Sequence, residues 1–367
     1  MEDNLPQPKP LSKTKMALSR IKRRILKHVW LARAGVVGLS FLGVYLTFVI
    51  VGFILGKTSL GNFIELSGDF FFTPKEKIQS MEGRTNVLIL GKGGSGHEAP
   101  DLTDTIILAS FSHQNPDLKL ISLPRDIWIS EFRAKLNSMY FWGNQKVPGG
   151  GIVMAKSVVE EISGQKVQYA VVIDFSGFTK IIDTLGGVEV EVDIAFTDKK
   201  YPLPGKENDE CSGDPEYKCR YEILQFEKGT RAMDGVTALK FARSRNAEGD
   251  EGTDLARAAR QEKIIRAIVK RALSPKIIFS PRKIANLFKI VKGSLETDLS
   301  DSASAILIRR AISAQNNLKT LALPGSLLEN PPKSIKFDYL YVFVPKDLSW
   351  EQIHKWFNCT LEGINCN

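Results

Sequence analysis

The sequence predicts a single α/β domain whose mixed central β-sheet is flanked by helices on both faces, preceded by one N-terminal transmembrane helix. Short apolar runs bounded by turn residues alternate with segments of helical periodicity from residue 86 to residue 357. No internal repeat or low-complexity stretch interrupts this alternation. An uncharged apolar run precedes it at residues 34–56, which is roughly the length that crosses a ~30 Å hydrocarbon layer.

The N-terminal segment carries most of the positive charge of the chain. Residues 1–33 contain nine lysines and arginines against two acids, a formal +7 of the +9 carried by all 367 residues. Because positively charged flanks stay in the cytoplasm, we expect 1–33 to be a cytoplasmic tail, 34–56 a membrane span, 57–84 a linker and 85–367 an extracytoplasmic domain. A cleaved signal peptide is the alternative, but the long apolar run and the extended basic region favour an uncleaved anchor in the cell membrane.

Charge and cysteine content limit the partners and the compartment of the folded body. Once the basic tail is set aside the body is nearly neutral, so no nucleic acid partner is expected. Four cysteines allow three pairings, of which the local loops 211–219 and 359–366 cost the least entropy to close. Metal binding by these cysteines is disfavoured because neither pair has C-x-x-C spacing and no histidine lies beside one. Disulfides agree with a location outside the cytoplasm.

The elements of the domain follow from the period of the apolar residues. Apolar runs that end at turn residues predict strands at 86–91, 105–111, 118–123, 168–174, 188–193, 320–323 and 339–344. Apolar residues at helical spacing predict helices at 152–162, 175–185, 235–241, 254–273, 284–291, 303–314 and 350–357. Residues 195–228 are polar and contain the first cysteine pair, so we expect a loop-rich excursion there. The alternation of strands and helices favours a mixed sheet in one domain.

A glycine-rich stretch follows the first predicted strand. Residues 91–96 fit the G-x-G-x-x-G pattern of dinucleotide-binding folds. That site requires a helix to begin at the glycines, whereas Pro100 follows within a few residues and no acid stands at the end of a second βαβ strand. We therefore expect the glycines to form a tight turn or to let backbone approach a ligand.

Polar and charged residues stand at the ends of the second and third strands. Asp104 lies at the start of one strand, and Arg125 and Asp126 follow the other. Neighbouring strand ends of this kind usually mark the functional edge of an α/β sheet, and Asp104 is a candidate ligand for a divalent metal. The alternative is that Arg125 and Asp126 pair and cap a turn. Lys135 and Tyr140 follow in a basic, aromatic stretch that fits a ligand wall or ordinary packing equally well.

An arginine-rich segment from Arg243 to Gln261 gives the strongest indication of a ligand. It contains Arg245, Arg257 and Arg260, and the helix predicted from Asp254 places Asp254, Arg257 and Gln261 on one stripe, with Arg260 about 60° to the side. Guanidinium groups suit two-point contact with phosphate oxygens, so the segment indicates a phosphate or diphosphate site. A solvated helix face with ion pairs is the alternative.

These motifs in this order resemble the LytR-CpsA-Psr family of bacterial envelope proteins. The matching features are the basic tail and single span, followed by NVLILG, LTDT, SLPRD, KLN, DTLGGVEVEV, MDGVTALKFARSR and DLARAARQ, which cover residues 86–271. The resemblance implies an extracytoplasmic enzyme that transfers a glycopolymer with its phosphate from a polyprenyl (pyro)phosphate carrier to a hydroxyl of peptidoglycan, with Mg²⁺ as cofactor. A polyprenyl tail needs an apolar tunnel beside the arginines in order to leave water.

The resemblance also implies roles for individual residues. Asp104 matches the metal-linked acid, and Asp104 or Asp254 would deprotonate the attacking hydroxyl. The residues expected to bind or neutralise the diphosphate are Arg125, Lys135, Arg243, Arg245, Arg257 and Gln261. We assign catalytic roles to Asp104, Arg125, Asp254 and Arg257.

Two departures from the family pattern keep other functions open. Gly93 replaces an acid that many members have, and Leu102 replaces an arginine, so Lys92, His97 or Asp101 would have to stand in. One alternative is therefore a non-catalytic, membrane-tethered protein that binds lipid-linked glycan. Another is an envelope-linked transcriptional attenuator, but the basic tail lacks a helix-turn-helix pattern and is expected to lie against the bilayer.

Overall fold

A computed structural model describes residues 78–94, 99–206, 208–278 and 280–363 of the chain. The expected tail, the expected span and most of the linker lie outside these ranges. A search of the described helices finds none that is long and apolar enough to span a bilayer. The described residues belong to one compact unit that covers 63–367.

Six strands form one mixed sheet in the order β11-β6-β1-β2-β3-β12. The strands are β1 Arg84–Lys92, β2 Thr103–Ser112, β3 Leu118–Ser122, β4 Trp128–Ile129, β5 Ala134–Lys135, β6 Tyr169–Asp174, β7 Val188–Val192, β8 Phe196–Pro202, β9 Tyr221–Phe226, β10 Gly229–Met233, β11 Leu295–Thr297, β12 Leu318–Ala322, β13 Leu328–Glu329 and β14 Val344–Pro345. β1 runs parallel to β6, and β3 to β12, whereas β1–β2, β2–β3 and β6–β11 are antiparallel. The mixed sheet is thus confirmed.

The helices lie between and after these strands. They are α1 Met139–Lys146, α2 Gly150–Ser163, α3 Phe175–Thr184, α4 Gly235–Arg243, α5 Asp254–Ala272, α6 Pro275–Ile278, α7 Pro281–Ser294, α8 Asp301–Ser313 and α9 Glu351–Glu362. Each helix predicted from the apolar spacing has a counterpart here, with ends that differ by a few residues. Helices α1 and α6 are additions. Tyr140 of α1 is buried in the core and serves packing, whereas Trp142 is 47% exposed.

Helices cover both faces of the sheet because successive strand residues point to opposite sides. On one face, Leu88 and Leu108 pack in a cluster with Val158 of α2 and Phe357 of α9. On the other face, Ile107 belongs to a second cluster that includes residues of α8. Each buried aliphatic side chain contributes roughly 1.5–3 kcal/mol relative to an exposed one, so these two layers fix the position of the strand ends.

Two sequence predictions need correction. The excursion at 195–228 is rich in loops at 203–220, as expected, but it also contains the β8–β9 hairpin, in which the adjacent exposed residues Lys199 and Lys200 interrupt the alternation typical of a strand. Cys211–Cys219 forms a disulfide within the loop of this hairpin. The predicted strand 339–344 is absent except at β14, because positive φ angles at Asp338 and Tyr339 turn the chain. Cys359 is also disulfide-bonded, while its expected partner Cys366 lies outside the described residues.

The glycine-rich turn does not form a dinucleotide site. β1 continues into an antiparallel pairing with β2, so the unit is a hairpin rather than βαβ. Gly94 has φ +76°, and a Cβ on it would lie 2.8 Å from the Cβ of Asp174. The turn therefore needs glycine for its backbone conformation and for close packing against the end of β6.

Candidate active site

A pocket of about 230 Å³ lies at the end of the sheet where β1 ends and β2 begins. Its walls come from the end of β1, the start of β2, the segment after β3, the start of α3, β8, the segment after α4 and the first two turns of α5. Six residues predicted from the sequence line it, namely Asp104, Arg125, Arg243, Arg245, Arg257 and Gln261. Residues that are scattered over more than 150 positions of the chain are therefore brought together in one site.

Arg125 is held by carboxylates at the floor of this site. It forms an ion pair with Asp104, and its Nε lies 3.4 Å from Asp126. Burial by itself lowers the pKa of Arg125, but the two carboxylates outweigh it and the pKa is raised. Both interpretations of this region from the sequence are therefore correct. Arg125 pairs with Asp126 near the turn after β3, and Arg125 also lines the pocket.

Lys135 does not line the pocket. Its ammonium group lies 2.6 Å from the second oxygen of Asp126, so it balances that acid instead of facing the cavity. The candidate substitutes for the missing family residues are also elsewhere. Lys92 and Asp101 pair with each other at 2.8 Å and do not line the pocket, and His97 lies outside the described residues.

Arg245 lies in a crowd of like charges. Its pKa is lowered by burial and then by the nearby cations Arg125 and Arg257. An arginine does not lose its proton in a protein, so Arg245 stays charged. The lowered pKa means that burial and the neighbouring cations make this charged state unfavourable in free energy. A bound anion with two or more negative charges would relieve that cost. The electrostatics of the pocket therefore favour a phosphate-containing ligand.

Arg243 lies against two aromatic side chains. Its guanidinium lies 4.0 Å from the ring centre of Phe175, and its Nη1 donates a hydrogen bond of 3.2 Å to the hydroxyl of Tyr201. Burial raises the pKa of this tyrosine, which keeps it neutral. The two contacts fix the position of the guanidinium in the wall of the pocket.

Two buried charged residues fix the segment that carries Arg245. Asp198 of β8 is fully buried, and its Oδ2 accepts from the hydroxyl of Ser244 at 2.7 Å and from the amides of Arg245 and Asn246 at 3.2 Å. From the other side, Arg260 donates to the carbonyl of Ser244 at 2.5 Å. Hydrogen bonds therefore hold this segment at the backbone amides of Arg245 and Asn246 and at the carbonyl of Ser244.

Arg260 has a structural role. It is 3% exposed, and it also bonds the carbonyl of Phe241 and pairs with Glu251 at 2.6 Å. It therefore ties the end of α4 to the turn before α5. Sequence reasoning placed Arg260 beside the stripe of Arg257 and did not detect Asp198, which lies in the polar excursion where no spacing singles it out.

The first turn of α5 opens onto the pocket. The helix begins at Asp254, as predicted, and Thr253 caps it by accepting from the amide of Ala256 at 3.2 Å. Arg257 and Gln261 follow one turn apart and both line the pocket. A helix N-terminus favours anions, which adds to the charge of the arginines. The side chain of Asp254 lies outside the part of the chain that the structure describes.

An apolar cavity of about 310 Å³ adjoins the charged pocket. It lies between the sheet and helices α3, α4 and α5, and it runs along β2 from Thr105 to Phe111. The two cavities share a wall composed of Thr105, Phe175, Ala242, Arg243 and Gln261. An apolar cavity therefore lies next to the arginines, where the sequence analysis expects a tunnel. A larger cavity of about 670 Å³ lies at the far end of α5, and none of the predicted site residues line it.

The carboxylates of the pocket offer one ligand for a metal. Among the described residues of the pocket lining, the acids are Asp104 and Asp198, and the oxygens of Asp198 are already occupied by hydrogen bonds from Ser244 and backbone amides. Asp104 belongs to no group of three acidic, histidine or cysteine ligands within the described ranges. These donors fit Mg²⁺ when phosphate oxygens complete the coordination, because Mg²⁺ is usually held by one or two carboxylates plus substrate oxygens.

The fold and the site together define an α/β domain in which a cationic pocket, suited to an anion, adjoins an apolar cavity. The chain belongs to the LytR_cpsA_psr family, whose model matches residues 70–357. A relative from Bacillus cereus, the polyisoprenyl-teichoic acid–peptidoglycan teichoic acid transferase TagU, is 24% identical over 253 residues, which is 69% of this chain and 72% of that protein. Its namesake from Oceanobacillus iheyensis is 27% identical over 257 residues, 68% of this chain and 69% of that protein.

Solved structures share the fold. The crystal structure of B. subtilis TagV superposes with a TM-score of 0.52 at 22% identity, covering 77% of this chain and 99% of that one. The structure of TagT bound to LIIa-WTA gives a TM-score of 0.51 at 20% identity, covering 80% of this chain and 97% of that one. At these identities the likeness concerns the fold.

Proposed function

We propose that this protein is a transferase that moves a glycopolymer, together with a phosphate, from a polyprenyl diphosphate carrier to a hydroxyl group of peptidoglycan. The observation that carries the proposal is the wall shared by the cationic pocket and the apolar cavity. A ligand that occupies both must have a phosphate group directly attached to a long apolar chain. The relatives named as polyisoprenyl-teichoic acid transferases act on that class of compound.

The reaction is a displacement at phosphorus. The acceptor oxygen attacks the phosphorus that carries the glycan and forms a new P–O bond. The bond from that phosphorus to the bridging oxygen breaks, and polyprenyl phosphate leaves with the electron pair. Arg125, Arg245 and Arg257 line the pocket and would face the oxygens on which negative charge grows, which would lower the barrier without reorganisation of the site.

A base must take the proton of the acceptor hydroxyl. Asp104 is engaged by Arg125 in an ion pair, which directs its oxygens to the floor of the pocket. Asp254 stands at the first position of α5, one turn before Arg257. We therefore assign the base to Asp254 and metal binding to Asp104. Mg²⁺, when bound, would supply additional neutralisation of the diphosphate charge.

The location of the reaction follows from the N-terminal sequence. The basic residues of 1–33 and the apolar run 34–56 favour a single-pass anchor with the domain outside the cytoplasm. Lipid-linked carriers and peptidoglycan meet at that surface. The cytoplasmic membrane is therefore the proposed site of action, and disulfide formation at Cys211–Cys219 suits it.

Binding of the carrier by full-length protein in detergent tests the diphosphate site. Arg245→Ala or Arg257→Ala removes a charged contact worth about 1.5–3 kcal/mol, so the affinity should fall roughly 10- to 150-fold. Arg282→Ala, an exposed arginine of α7, serves as the matched control and should bind as the native chain does. Undiminished affinity in both pocket variants would contradict the proposal.

The replacement at Gly93 favours a second candidate, a binding protein without transfer activity. Gly93 is buried and lines the pocket, so the acid that many family members have is absent from the described lining. An assay with labelled glycan carrier and a peptidoglycan acceptor separates the two functions. Label that appears on the acceptor and is lost with EDTA supports the transferase, whereas tight carrier binding without labelled acceptor supports the binding protein.

A further inference from the structure

A second cationic cavity, of about 340 Å³, lies at the opposite end of the sheet from the diphosphate pocket. It is formed by the turn between β2 and β3 and by the last turns of α8. Arg309 and Arg310 line it together with the exposed polar residues Gln114 and Asn115. The described site residues that were predicted from the sequence do not line this cavity, and the proposed reaction does not involve it.

The arginines of this cavity show that it suits an anion. Arg310 donates through Nη1 to the carbonyl of Ser112 at 2.8 Å, but its buried Nε has no hydrogen-bond partner among the described residues. An unsatisfied buried donor on a cation costs free energy that an anionic oxygen would recover. Burial and the adjacent Arg309 lower the pKa of Arg310, which is the same signature that the diphosphate pocket shows at Arg245.

The charge around the cavity is positive. Asp117 is the acid in its lining, and this carboxylate is already shared by Arg84 at 3.0 Å and Lys119 at 3.6 Å. Its one negative charge is therefore outnumbered by the cations of the same edge. Ile308 is 53% exposed but does not line this cavity, because it lies about 200° around α8 from Ile306, which does. A cluster of basic residues at an exposed edge is typical of surfaces that rest on an anionic lipid headgroup layer.

The position of the cavity relates it to the tunnel. The tunnel runs along β2 from Thr105, at the diphosphate end, to Phe111 and then to Leu118 of β3. The residues next to these two, Ser112 and Asp117, line the second cavity. The apolar end of the tunnel and the basic cavity therefore lie at the same edge, where β1 begins.

The size of the tunnel gives the reason for this arrangement. The cavity follows β2 from Thr105 to Phe111, a length of roughly 20 Å at ~3.4 Å per residue. A polyprenyl chain that is longer than this needs another apolar environment for its remaining length. The bilayer is the available one, provided that the apolar end of the tunnel faces it.

We infer that the cavity lined by Arg309 and Arg310 binds the phosphate of an anionic phospholipid, and that it docks the tail end of the tunnel onto the bilayer. The tunnel part of this inference rests on the proposed function, since it takes the tunnel to hold a polyprenyl chain. The headgroup site itself depends only on the cavity, its arginines and the unsatisfied donor. The domain would thereby lie with its diphosphate pocket away from the membrane, where an acceptor glycan can reach it.

The orientation of full-length protein in nanodiscs tests this inference. A fluorophore is attached at Asn316→Cys, an exposed position after α8 that does not line the cavity, or at Ala99→Cys, an exposed position at the opposite end of the sheet. The discs contain phosphatidylcholine with or without phosphatidylglycerol, and a quencher is attached to a lipid headgroup. We expect strong quenching at position 316 and weak quenching at position 99 in the anionic discs. Equal quenching at both positions, or stronger quenching at 99, would overturn the orientation.

Charge variants and free phosphate identify the ligand. Arg309→Gln should shift the balance of docked and undocked protein about fivefold, and the double change of Arg309 and Arg310 further, as expected for each basic residue near an anionic surface. Arg282→Gln, the matched control, should leave quenching unchanged. Quenching that survives Arg309→Gln, or that is equal in neutral discs, would refute a lipid site. Release of quenching by millimolar inorganic phosphate at constant ionic strength would reassign the cavity to a soluble anion and overturn the inference.

A separate readout keeps this test independent of the proposed function. The Arg309 variant should bind polyprenyl diphosphate in detergent like the native chain, whereas Arg257→Ala should not. Loss of docking with retained carrier binding supports the headgroup site. If Arg257→Ala loses carrier binding but still docks to the bilayer, the effect of this change is confined to the diphosphate pocket. Retained carrier binding in Arg257→Ala would refute the proposed function and leave the headgroup site to be judged by quenching.

Discussion

Asp198 accepts a hydrogen bond of 2.7 Å from the hydroxyl of Ser244, although 46 residues separate the two along the chain. Both side chains are fully buried. This contact joins the β8–β9 hairpin to the segment between α4 and α5 that carries Arg245. The diphosphate pocket is therefore preorganised by a carboxylate that does not need to touch the ligand.

Asp198→Asn should weaken that preorganisation. One oxygen becomes an amide donor facing the hydroxyl of Ser244 or the backbone amides, so at least one buried donor is left unsatisfied. We expect a loss of about 1–3 kcal/mol in the free energy of unfolding, together with weaker binding of carrier. Denaturant unfolding and carrier titration measure both. Ser244→Ala removes one bond and should show a smaller effect, and unchanged carrier affinity in a folded Asp198→Asn variant would contradict the positioning role.

Asp104→Asn should remove the magnesium dependence of transfer. The variant keeps the size of the side chain but loses the acid that would hold the metal and that pairs with Arg125. We expect lower activity that no longer responds to EDTA or to added Mg²⁺, because the amide is a weak ligand for a hard cation. Transfer rates over a range of Mg²⁺ concentrations measure this effect. A variant whose activity still rises with Mg²⁺ as in the native chain would place the metal elsewhere.

Ala109→Phe should shorten the chain that the tunnel accepts. Ala109 is 1% exposed and lines the apolar cavity, so the larger ring would occupy part of its volume. Binding of long polyprenyl diphosphates should weaken, while inorganic pyrophosphate, which needs only the arginines, should bind unchanged. Overpacking itself costs about 1–3 kcal/mol of stability, so a thermal melt accompanies the titration. Equal weakening for both ligands would show that the cavity does not hold the tail.

Replacing Cys211 and Cys219 together by serine should destabilise the hairpin but leave the pocket largely intact. Closing a loop between cysteines 8 residues apart stabilises the folded state by about 2–3 kcal/mol in the chain-entropy account. Tyr201 and Asp198, in the strand β8 of the hairpin, remain held by Arg243 and Ser244. We expect a lower thermal midpoint with nearly native carrier affinity. Loss of carrier binding at native stability would assign the disulfide to the site.

The sequence predicted the sheet and the helices well where local pattern decides them. The apolar runs of β1, β2 and β3 are strongly periodic, and the arginine helix α5 begins at Asp254 as its acid indicated. The run 339–344 misled because its apolar and aromatic residues are typical of strands, while its positive φ angles depend on tertiary contacts. The hairpin in the polar excursion was missed because the adjacent exposed residues Lys199 and Lys200 break the alternation of β8, and Ile223 of β9 is exposed although it is apolar.

The site was predictable as far as side chains share a helix face or a strand end. Arg257 and Gln261 have helical spacing, and Asp104 and Arg125 stand at neighbouring strand ends. The buried partners Asp198 and Arg260 were not predictable in their roles, because those roles depend on contacts with segments that are remote in sequence or folded inward. Lys135 is the opposite case. Its positive charge suggested a contact with the ligand, but in the structure it pairs with Asp126 instead.

Following the phosphorus atom through the reaction tests the central claim most directly. A carrier labelled at the phosphorus attached to the glycan is incubated with full-length protein and a peptidoglycan acceptor. The account predicts that this phosphorus appears in a new phosphodiester on the acceptor, that unlabelled polyprenyl phosphate is released, and that Arg257→Ala abolishes both. Label that remains with the polyprenyl product, or that stays on intact carrier while the protein binds it tightly, would contradict the claim.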